Sequence, residues 1–285
     1  MVGAQRNRLV FCQRFVPLCP YGNNMYPHTH HETNQPILDV QNLSVRYNGH
    51  IALEDISFHL HEGERVAVVG PNGAGKSTLF KVVSGVMSST SGEVNIFGSK
   101  PRGHVCIAYI PQRSQVDWKF PVSVADVVMM GRSAKLGPLN WPCKKDWDFV
   151  HHALDTVELT NLASRQIGQL SGGQQQRMFI ARALAQEAEL MLMDEPFTGL
   201  DTPAQEGILS LLDRLKQENV TVMIATHDLE QAANNFDRIM LLNHKMIAFG
   251  EPGHVLQTEN LLKAYGARMR IDAQGAMLVD DCCDE

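Results

Sequence analysis

Residues 65–78 read Arg65-Val-Ala-Val-Val-Gly-Pro-Asn-Gly-Ala-Gly-Lys-Ser-Thr78, an apolar run that passes into a glycine-rich loop. The run is typical of a buried parallel strand, and the loop has the spacing GxxxxGK[ST] that cradles phosphates before a helix. Its backbone N–H groups and the helix dipole favour an anion, with Lys76 on the β- and γ-phosphates and Ser77 on Mg²⁺. The motif predicts a nucleotide-binding loop made of Gly70, Pro71, Asn72, Gly73, Ala74, Gly75, Lys76, Ser77 and Thr78.

A second apolar run ends in two acidic residues. Residues 190–193 read Leu-Met-Leu-Met, and Asp194, Glu195 and Pro196 follow. Ligands of parallel α/β sheets bind beyond the carboxyl ends of the strands, so we expect both carboxylates beside the phosphates. Asp194 is placed for the Mg²⁺ shell, and Glu195 for polarising the attacking water as a general base. Together with Lys76, this pair predicts hydrolysis of a nucleoside triphosphate.

A third motif opens a helix that we predict over residues 174–185. Ser171, Gly172, Gly173 and Gln174 stand at its start. The free amides and the positive dipole end of such a start attract an anion. One nucleotide needs one helix start, so a second suggests a site shared between two copies of the chain. The alternative interpretation is an ordinary serine N-cap.

The rest of the pattern predicts an α/β fold. Residues 37–47 and 52–61 alternate apolar and polar side chains, as half-buried antiparallel strands do. Strands and helices then alternate, which predicts a parallel sheet, with a helical insertion at about 115–165. The other predicted strands are 65–69, 92–97, 190–193, 220–225 and a hairpin over 238–249, and the predicted helices are 76–86, 123–131, 145–157, 174–185 and 203–219.

Composition excludes several classes of protein. The 285 residues are 44% hydrophobic and 20% charged, which argues against a disordered chain. The longest apolar run has six residues, 105–110, whereas a membrane-spanning helix needs about 20. A net charge of −6, from 25 basic and 31 acidic residues, argues against a nucleic-acid partner. The six cysteines have no CxxC spacing and are interpreted as reduced thiols.

The two ends of the chain differ from its middle. Residues 1–36 carry no acidic residue before Glu32, and we expect a disordered leader there or an extension upstream of a start at Met25. We expect residues 268–285 to form a C-terminal tail. Two groups of potential metal ligands fall in these ends and are interpreted as solvated side chains: His28, His30 and His31, and Cys282 and Cys283.

The third motif, Leu170-Ser-Gly-Gly-Gln174, resembles the signature of ABC-transporter ATPase subunits. The other motifs of that family follow in its order, and the resemblance covers about residues 37–267. It implies a P-loop NTPase (ABC ATPase) core with a parallel sheet, an N-terminal antiparallel β part and a helical subdomain insertion. ATP and Mg²⁺ are the implied cofactors. The implied working unit is a head-to-tail homodimer in which two chains sandwich the nucleotide.

The resemblance assigns four further residues. Tyr47 resembles the aromatic residue that stacks on adenine, and Gln112 the glutamine that contacts Mg²⁺ or water and senses the membrane partner. Asp201 resembles the D-loop residue at the dimer interface, and His227 the switch histidine that contacts the γ-phosphate. The implied location is peripheral, on the cytoplasmic face of the inner membrane. The implied partners there are an integral permease subunit and, indirectly, a metal-binding solute receptor.

A finer resemblance concerns the cargo. Residues 118–122 read Trp-Lys-Phe-Pro-Val and residues 126–132 read Asp-Val-Val-Met-Met-Gly-Arg, similar to the ATPases of manganese, zinc or iron(II) importers. The insertion docks the membrane subunit in this family, so its sequence tracks the partner. The alternative is that Trp118 and Phe120 are core residues. Two other functions stay open: the ATPase of an iron–siderophore or cobalamin importer, and a soluble regulatory ABC ATPase with no transporter.

Overall fold

The computed structural model describes residues 35–47, 49–100, 106–136, 140–266, 269–271 and 277–279. Apart from residues 35 and 36, the predicted leader with its three histidines lies outside the described residues, as does most of the predicted tail with Cys282 and Cys283. Among the described residues, no helix has the length and apolar character needed to cross a membrane. The bounds predicted for the leader, the ATPase domain, the helical insertion and the tail stay predictions.

A six-stranded sheet forms the centre of the molecule. Its strand order is β5 (Ile107–Ile110), β6 (Leu190–Asp194), β7 (Thr221–Thr226), β3 (Arg65–Val69), β8 (Arg238–Asn243) and β9 (Lys245–Gly250). β9 pairs antiparallel with β8, and the other neighbours pair in parallel. The parallel sheet predicted from alternating strands and helices is thus confirmed. Its carboxyl edge receives the glycine-rich loop after β3 and the two acidic residues at the end of β6.

A three-stranded antiparallel sheet is formed by the N-terminal part of the described chain. β1 (Leu38–Tyr47) lies between β2 (His50–Leu60) and β4 (Ser91–Ile96). The N-terminal antiparallel β part is therefore confirmed. A separate two-stranded hairpin, β10 (Met269–Ile271) with β11 (Met277–Val279), lies near the C-terminus.

Helices cover the sheet and form the insertion. They are α1 (Lys76–Val83), α2 (Val124–Met130), α3 (Ser133–Leu136), α4 (Lys144–Thr156), α5 (Gly172–Ala185), α6 (Thr202–Gln217), α7 (Leu229–Asn235), α8 (Pro252–Val255) and α9 (Thr258–Tyr265). α1 ends three residues before its predicted end at 86, because Gly85 takes a φ of 73° that a helix cannot continue. α5 packs against α2 and α4, so the helix of the third motif lies against the insertion.

Two apolar clusters lie on the two faces of the central sheet. Val66 and Val68 belong to the cluster that also contains residues of the antiparallel sheet. Ala67 and Val69 belong to the cluster that contains residues of α5 and α6. Successive side chains of a strand point to opposite faces, so β3 is buried on both sides. This burial fixes the position from which the glycine-rich loop leaves the sheet.

Candidate nucleotide site

The backbone of the glycine-rich loop is shaped by close packing. A Cβ added at Gly75, whose φ is 98°, would lie 2.5 Å from the Ala52 carbonyl oxygen, so no side chain fits there. At Gly73, with φ 80°, nothing lies within 4 Å of such a Cβ. Asn72 and Gly73 are both exposed. The loop therefore presents an open cradle of backbone, which is the form that phosphate binding requires.

Lys76 begins α1 and turns back into the loop. Its Nζ donates hydrogen bonds to the carbonyl oxygens of Gly70, at 2.6 Å, and Pro71, at 3.0 Å. Burial lowers the pKa of Lys76, while the charges of Glu195 and Asp194 oppose that shift. The structure thus brings the loop cation and the two carboxylates of β6 into one electrostatic site.

Asp194 ends β6 as a buried carboxylate, with 3% of the residue exposed. The Ser77 hydroxyl donates a hydrogen bond to it, and the Tyr109 hydroxyl lies 3.4 Å from its Oδ2. Burial raises the pKa of Asp194, and the Ser77 hydrogen bond opposes that shift. Carboxylate and hydroxyl oxygens are the ligands that hard divalent cations prefer. The donor set therefore fits the Mg²⁺ predicted for Ser77 and Asp194.

Glu195 follows on a backbone with φ 48°, a left-handed conformation that few non-glycine residues adopt. Its N–H donates to the Ala225 carbonyl oxygen on β7 at 3.0 Å. Its Oε2 accepts hydrogen bonds from Gln112 Nε2, at 2.9 Å, and from Thr198 Oγ1, at 3.2 Å. These contacts hold the carboxylate beyond the edge of the sheet, and they bring Gln112 to the candidate base.

The third motif forms a capped helix start. Ser171 Oγ accepts a hydrogen bond from the N–H of Gln174, and the Gln174 side chain accepts one from the N–H of Ser171. This reciprocal pair is a capping box. A Cβ added at Gly173 would lie 2.9 Å from the Ala204 side chain, so α5 approaches α6 closely at this point. Both interpretations of Ser171 are compatible with this geometry, since a capped start still has free amides.

The three remaining candidates lie at the surface. Tyr47 is 43% exposed at the end of β1, and its hydroxyl contacts the Met87 sulphur. Asp201 caps α6 by accepting the Ala204 N–H at 3.2 Å. His227 is exposed directly after β7. The structure therefore does not bring these residues into contact with the carboxylates of Asp194 and Glu195, and leaves them accessible to a ligand or a second chain.

Sequence reasoning missed two residues that contact the candidate catalytic carboxylates. Tyr109 on β5 is paired with Leu192 on β6, and Asp194 is two residues further along the same face. Thr198 contacts Glu195 from the turn that follows β6. The alternation of β5 indicates the face on which Tyr109 lies. Its contact with Asp194, however, depends on the register between β5 and β6.

The chain is similar in sequence to a known family and to named transport proteins. A family model described as "ABC transporter" matches residues 53–198. The chain is 45% identical over 233 residues to the manganese transport system ATP-binding protein MntB of Bacillus subtilis (strain 168), covering 81% of this chain and 93% of that protein. It is 44% identical over 235 residues to the zinc transport system ATP-binding protein TroB of Treponema pallidum (strain Nichols), covering 81% and 88%.

A solved structure agrees with these relatives. It is that of a metal-chelate type ABC transporter in an inward-facing conformation, with a TM-score of 0.73 and 33% identity. The match covers 86% of this chain and 96% of that chain. The P-loop NTPase fold is thus confirmed by a structural match over 86% of this chain as well as by its sheet order. By its family model, its relatives and its fold, the chain belongs to the ABC transporter family, as one of its ATP-binding proteins.

Proposed function

We propose that the chain is the ATP-hydrolysing subunit of a membrane importer for a divalent metal ion: manganese, zinc or iron. The observation that carries the hydrolytic part is the meeting of Lys76, Asp194 and Glu195 at one edge of the sheet. The cargo part is supported by the manganese and zinc transport proteins to which the chain is similar over most of its length. We propose residues 37–267 as the ATPase domain and about 115–165 as its helical subdomain.

ATP binding follows from the glycine-rich loop. Its backbone amides and Lys76 hold the β- and γ-phosphates, which replace the carbonyl oxygens of Gly70 and Pro71 as partners of the ammonium. Tyr47, exposed at the end of β1, stacks on the adenine. Ser77 and Asp194 would hold Mg²⁺, and Gln112 would contact it. When bound, the ion would neutralise charge on the phosphate oxygens.

Hydrolysis follows from Glu195. Its carboxylate accepts a proton from the attacking water, whose oxygen bonds to the γ-phosphorus while the bond to the β-phosphate oxygen breaks. The amide of Gln112, hydrogen-bonded to Glu195, orients that carboxylate and releases it for the water. His227, exposed beyond the neighbouring strand β7, contacts the γ-phosphate.

The working unit in this proposal is a head-to-tail dimer. Each nucleotide lies between the glycine-rich loop of one chain and residues 171–174 of the other, and Asp201 lies at the interface. The exposed N-cap Ser171 supports this arrangement, because the amides of the following helical turn offer an anion site that the chain's own nucleotide does not need. ATP favours the closed pair, and its hydrolysis lets the two chains part.

The membrane partner is an integral permease, which the chain serves from the cytoplasmic face of the inner membrane; a metal-binding solute receptor takes part indirectly. Phe120 is 56% exposed and Met130 is 47% exposed on the helical part, which supports a docking surface there. Trp118 instead packs against the main core. The alternative that both aromatic residues are core residues is therefore wrong for Phe120, and Trp118 is half-buried against the core without belonging to it.

Co-purification tests the proposed function. A tagged chain solubilised from membranes in detergent should carry a hydrophobic permease subunit, and the complex should hydrolyse ATP. Ribosomes or DNA in place of a permease would contradict the proposal and favour the regulatory ABC ATPase. Growth of a deletion strain under separate depletion of manganese, zinc and iron then identifies the cargo. A defect only with siderophore-bound iron or cobalamin would favour the other importer class.

A further inference from the structure

The segment 112–118 links two parts of the candidate site. It begins two residues after the end of β5 with Gln112, whose side chain donates to the Glu195 carboxylate. It then forms a short 3-10 turn at Arg113–Gln115 and runs to Trp118. Two side-chain contacts with α5 follow in this segment. One short segment therefore contacts both Glu195, the candidate base, and α5, the helix of the third motif. It connects these two parts of the molecule directly.

The first contact is made by Arg113. Its Nε and its second terminal nitrogen donate hydrogen bonds of 3.2 and 2.8 Å to Oε1 of Gln175, which is 6% exposed. The same guanidinium lies beside the start of α5, where a Cβ added at Gly172 would be 2.7 Å from it. The two bonds to one oxygen fix the position of the first turn of α5 against the segment.

The second contact is made by Trp118. Its indole N–H donates to the Arg113 carbonyl oxygen at 3.0 Å, and its ring meets Phe179 edge to face at 5.8 Å. Phe179 follows Gln175 by four residues and lies on the same face of α5. Gly168 allows this approach, because a Cβ there would be 2.6 Å from the Trp118 carbonyl oxygen. The hydrogen bond from Trp118 thus holds the backbone of Arg113, and the hydrogen bonds to Gln175 hold its side chain.

Electrostatics argue against a purely stabilising role for Arg113. The positive end of the helix dipole repels a cation at a helix start, and an acidic or neutral residue is the stabilising choice there. Arg113 nevertheless places its charge beside Gly172, at the helix start that the proposed dimer offers to a phosphate. A charge that is unfavourable for the helix alone becomes favourable when an anion is bound.

We propose that Arg113 is a positioning residue that couples the two half-sites of one chain. Through Gln175 it holds the start of α5, which serves the partner's nucleotide, in a fixed relation to Gln112 and Glu195, which serve its own. Trp118 braces Arg113 in this position. The inference rests on the proposed function, and it assigns to the 112–118 segment a contact with α5 in addition to the role of Gln112.

A double-mutant cycle on ATP hydrolysis tests this proposal. The variants are Arg113→Met, Gln175→Leu and the double variant, with Arg165→Met, an exposed arginine of the same helical part, as the matched control. Each single variant should lower kcat about tenfold, with KM for ATP and the affinity for a non-hydrolysable ATP analogue changed less than about twofold. The double variant should lose no more than either single one, because both remove the same bond. The control should match the wild type.

Rescue separates positioning from folding. Gln175→Glu keeps an acceptor for both guanidinium bonds and should retain kcat within about threefold of the wild type. If Arg113→Met does not fold, Arg113→Lys keeps one donor and should give an intermediate kcat. Independent losses that add in the double variant would overturn the coupling, as would wild-type kcat in the single variants. A wild-type chain that does not hydrolyse ATP would overturn the proposed function itself.

Discussion

Glu195 shows at the scale of one residue how the fold stores strain beside the phosphate site. A non-glycine residue with φ 48° costs free energy, on the order of 1 kcal/mol or more, and persists only where its surroundings hold it. Here the hydrogen bond of its N–H to β7 and the two bonds to its carboxylate hold it. In the proposed function, the carboxylate held in this way serves the attacking water, while the neighbouring carboxylate of Asp194 serves the metal.

The exchange Glu195→Gln tests the role of that carboxylate. It keeps the size of the side chain but removes the proton acceptor, so hydrolysis should fall by about 10²–10⁴-fold. ATP binding should persist, and the variant should accumulate as a closed dimer, measured by size exclusion with ATP. Turnover at the wild-type rate would remove Glu195 from its assigned role.

Tyr109 gives a second prediction at this scale. Its hydroxyl is a partner of Asp194, the proposed Mg²⁺ ligand, and loss of a hydrogen-bond partner of a metal ligand weakens metal binding. In Tyr109→Phe, the Mg²⁺ concentration that half-saturates binding of an ATP analogue should rise about tenfold. Analogue binding without Mg²⁺ should not change, which serves as the internal control. An unchanged Mg²⁺ requirement would show that the phenol does not support the ligand.

At the scale of elements, Arg132 shows how the helices of the insertion are held to one another and to α5. It is 1% exposed between α2 and α3, and its guanidinium bonds Asp146 of α4 at 3.3 Å. The same group donates to the Ala185 carbonyl oxygen at the end of α5, at 2.8 Å, and to Glu187 at 2.7 Å. It also lies 4.1 Å from the Phe149 ring. One buried cation therefore connects the α2–α3 junction to α4 and to the end of α5, while Arg113 contacts the start of α5.

The exchange Glu187→Gln probes this tie through pH. Burial alone would raise the pKa of Glu187, but hydrogen bonds from Lys135 and Arg132 outweigh it and lower the pKa below its ordinary value of 4.5. Such a carboxylate stabilises the fold above pH 4.5, and that stabilisation is lost as pH falls through the lowered pKa. The variant should therefore lose about 1–3 kcal/mol of unfolding free energy at pH 7, and progressively less below pH 4.5.

Urea unfolding across this pH range measures the difference. Glu206→Gln, at an exposed position on α6, is the matched control and should change stability by less than about 0.5 kcal/mol. An equal loss for Glu187→Gln at neutral and acid pH would mean that its charge contributes nothing.

Local pattern predicted most elements, and tertiary contacts account for what it missed. The period-two alternation of β1 and the apolar run of β3 are encoded in neighbouring residues, so their bounds were predicted within one residue. The glycine-rich loop and the pair Asp194 and Glu195 are likewise encoded by short spacing. The contacts of Tyr109 and Arg113 depend on the register of β5 against β6 and on the position of α5. No local spacing encodes either.

At the scale of the whole molecule, one chain carries two unlike helix starts that we propose to bind phosphate. α1 begins after the glycine-rich loop at the centre of the sheet, and α5 begins beside the helical insertion, with its N-cap Ser171 exposed. Two copies arranged head to tail would complete two sites, each using both kinds of start. In the proposed function, the single chain holds the groups for binding a nucleotide, and the pair is required for its efficient hydrolysis.

The exchange Ser171→Arg tests the shared site. A bulky cation at this helix start should block closure of the dimer and lower ATP hydrolysis at least tenfold. Loss of the N-cap should lower the free energy of unfolding by about 1 kcal/mol. ATP binding by the single chain should be spared. Ser123 caps α2 with the same kind of reciprocal pair, so Ser123→Arg removes an equivalent cap elsewhere and controls for stability. Persistent hydrolysis in Ser171→Arg would contradict a site shared between two chains.

Uptake of divalent metals by living cells tests most directly whether this ATPase drives metal import. Cells lacking the chain would be supplied with the wild type or with Glu195→Gln at equal protein levels, and accumulation of manganese, zinc and iron(II) measured after depletion of each ion. We predict that the wild type restores uptake of one of these ions and that Glu195→Gln does not. Equal uptake of all three ions with either protein would contradict metal import powered by this chain.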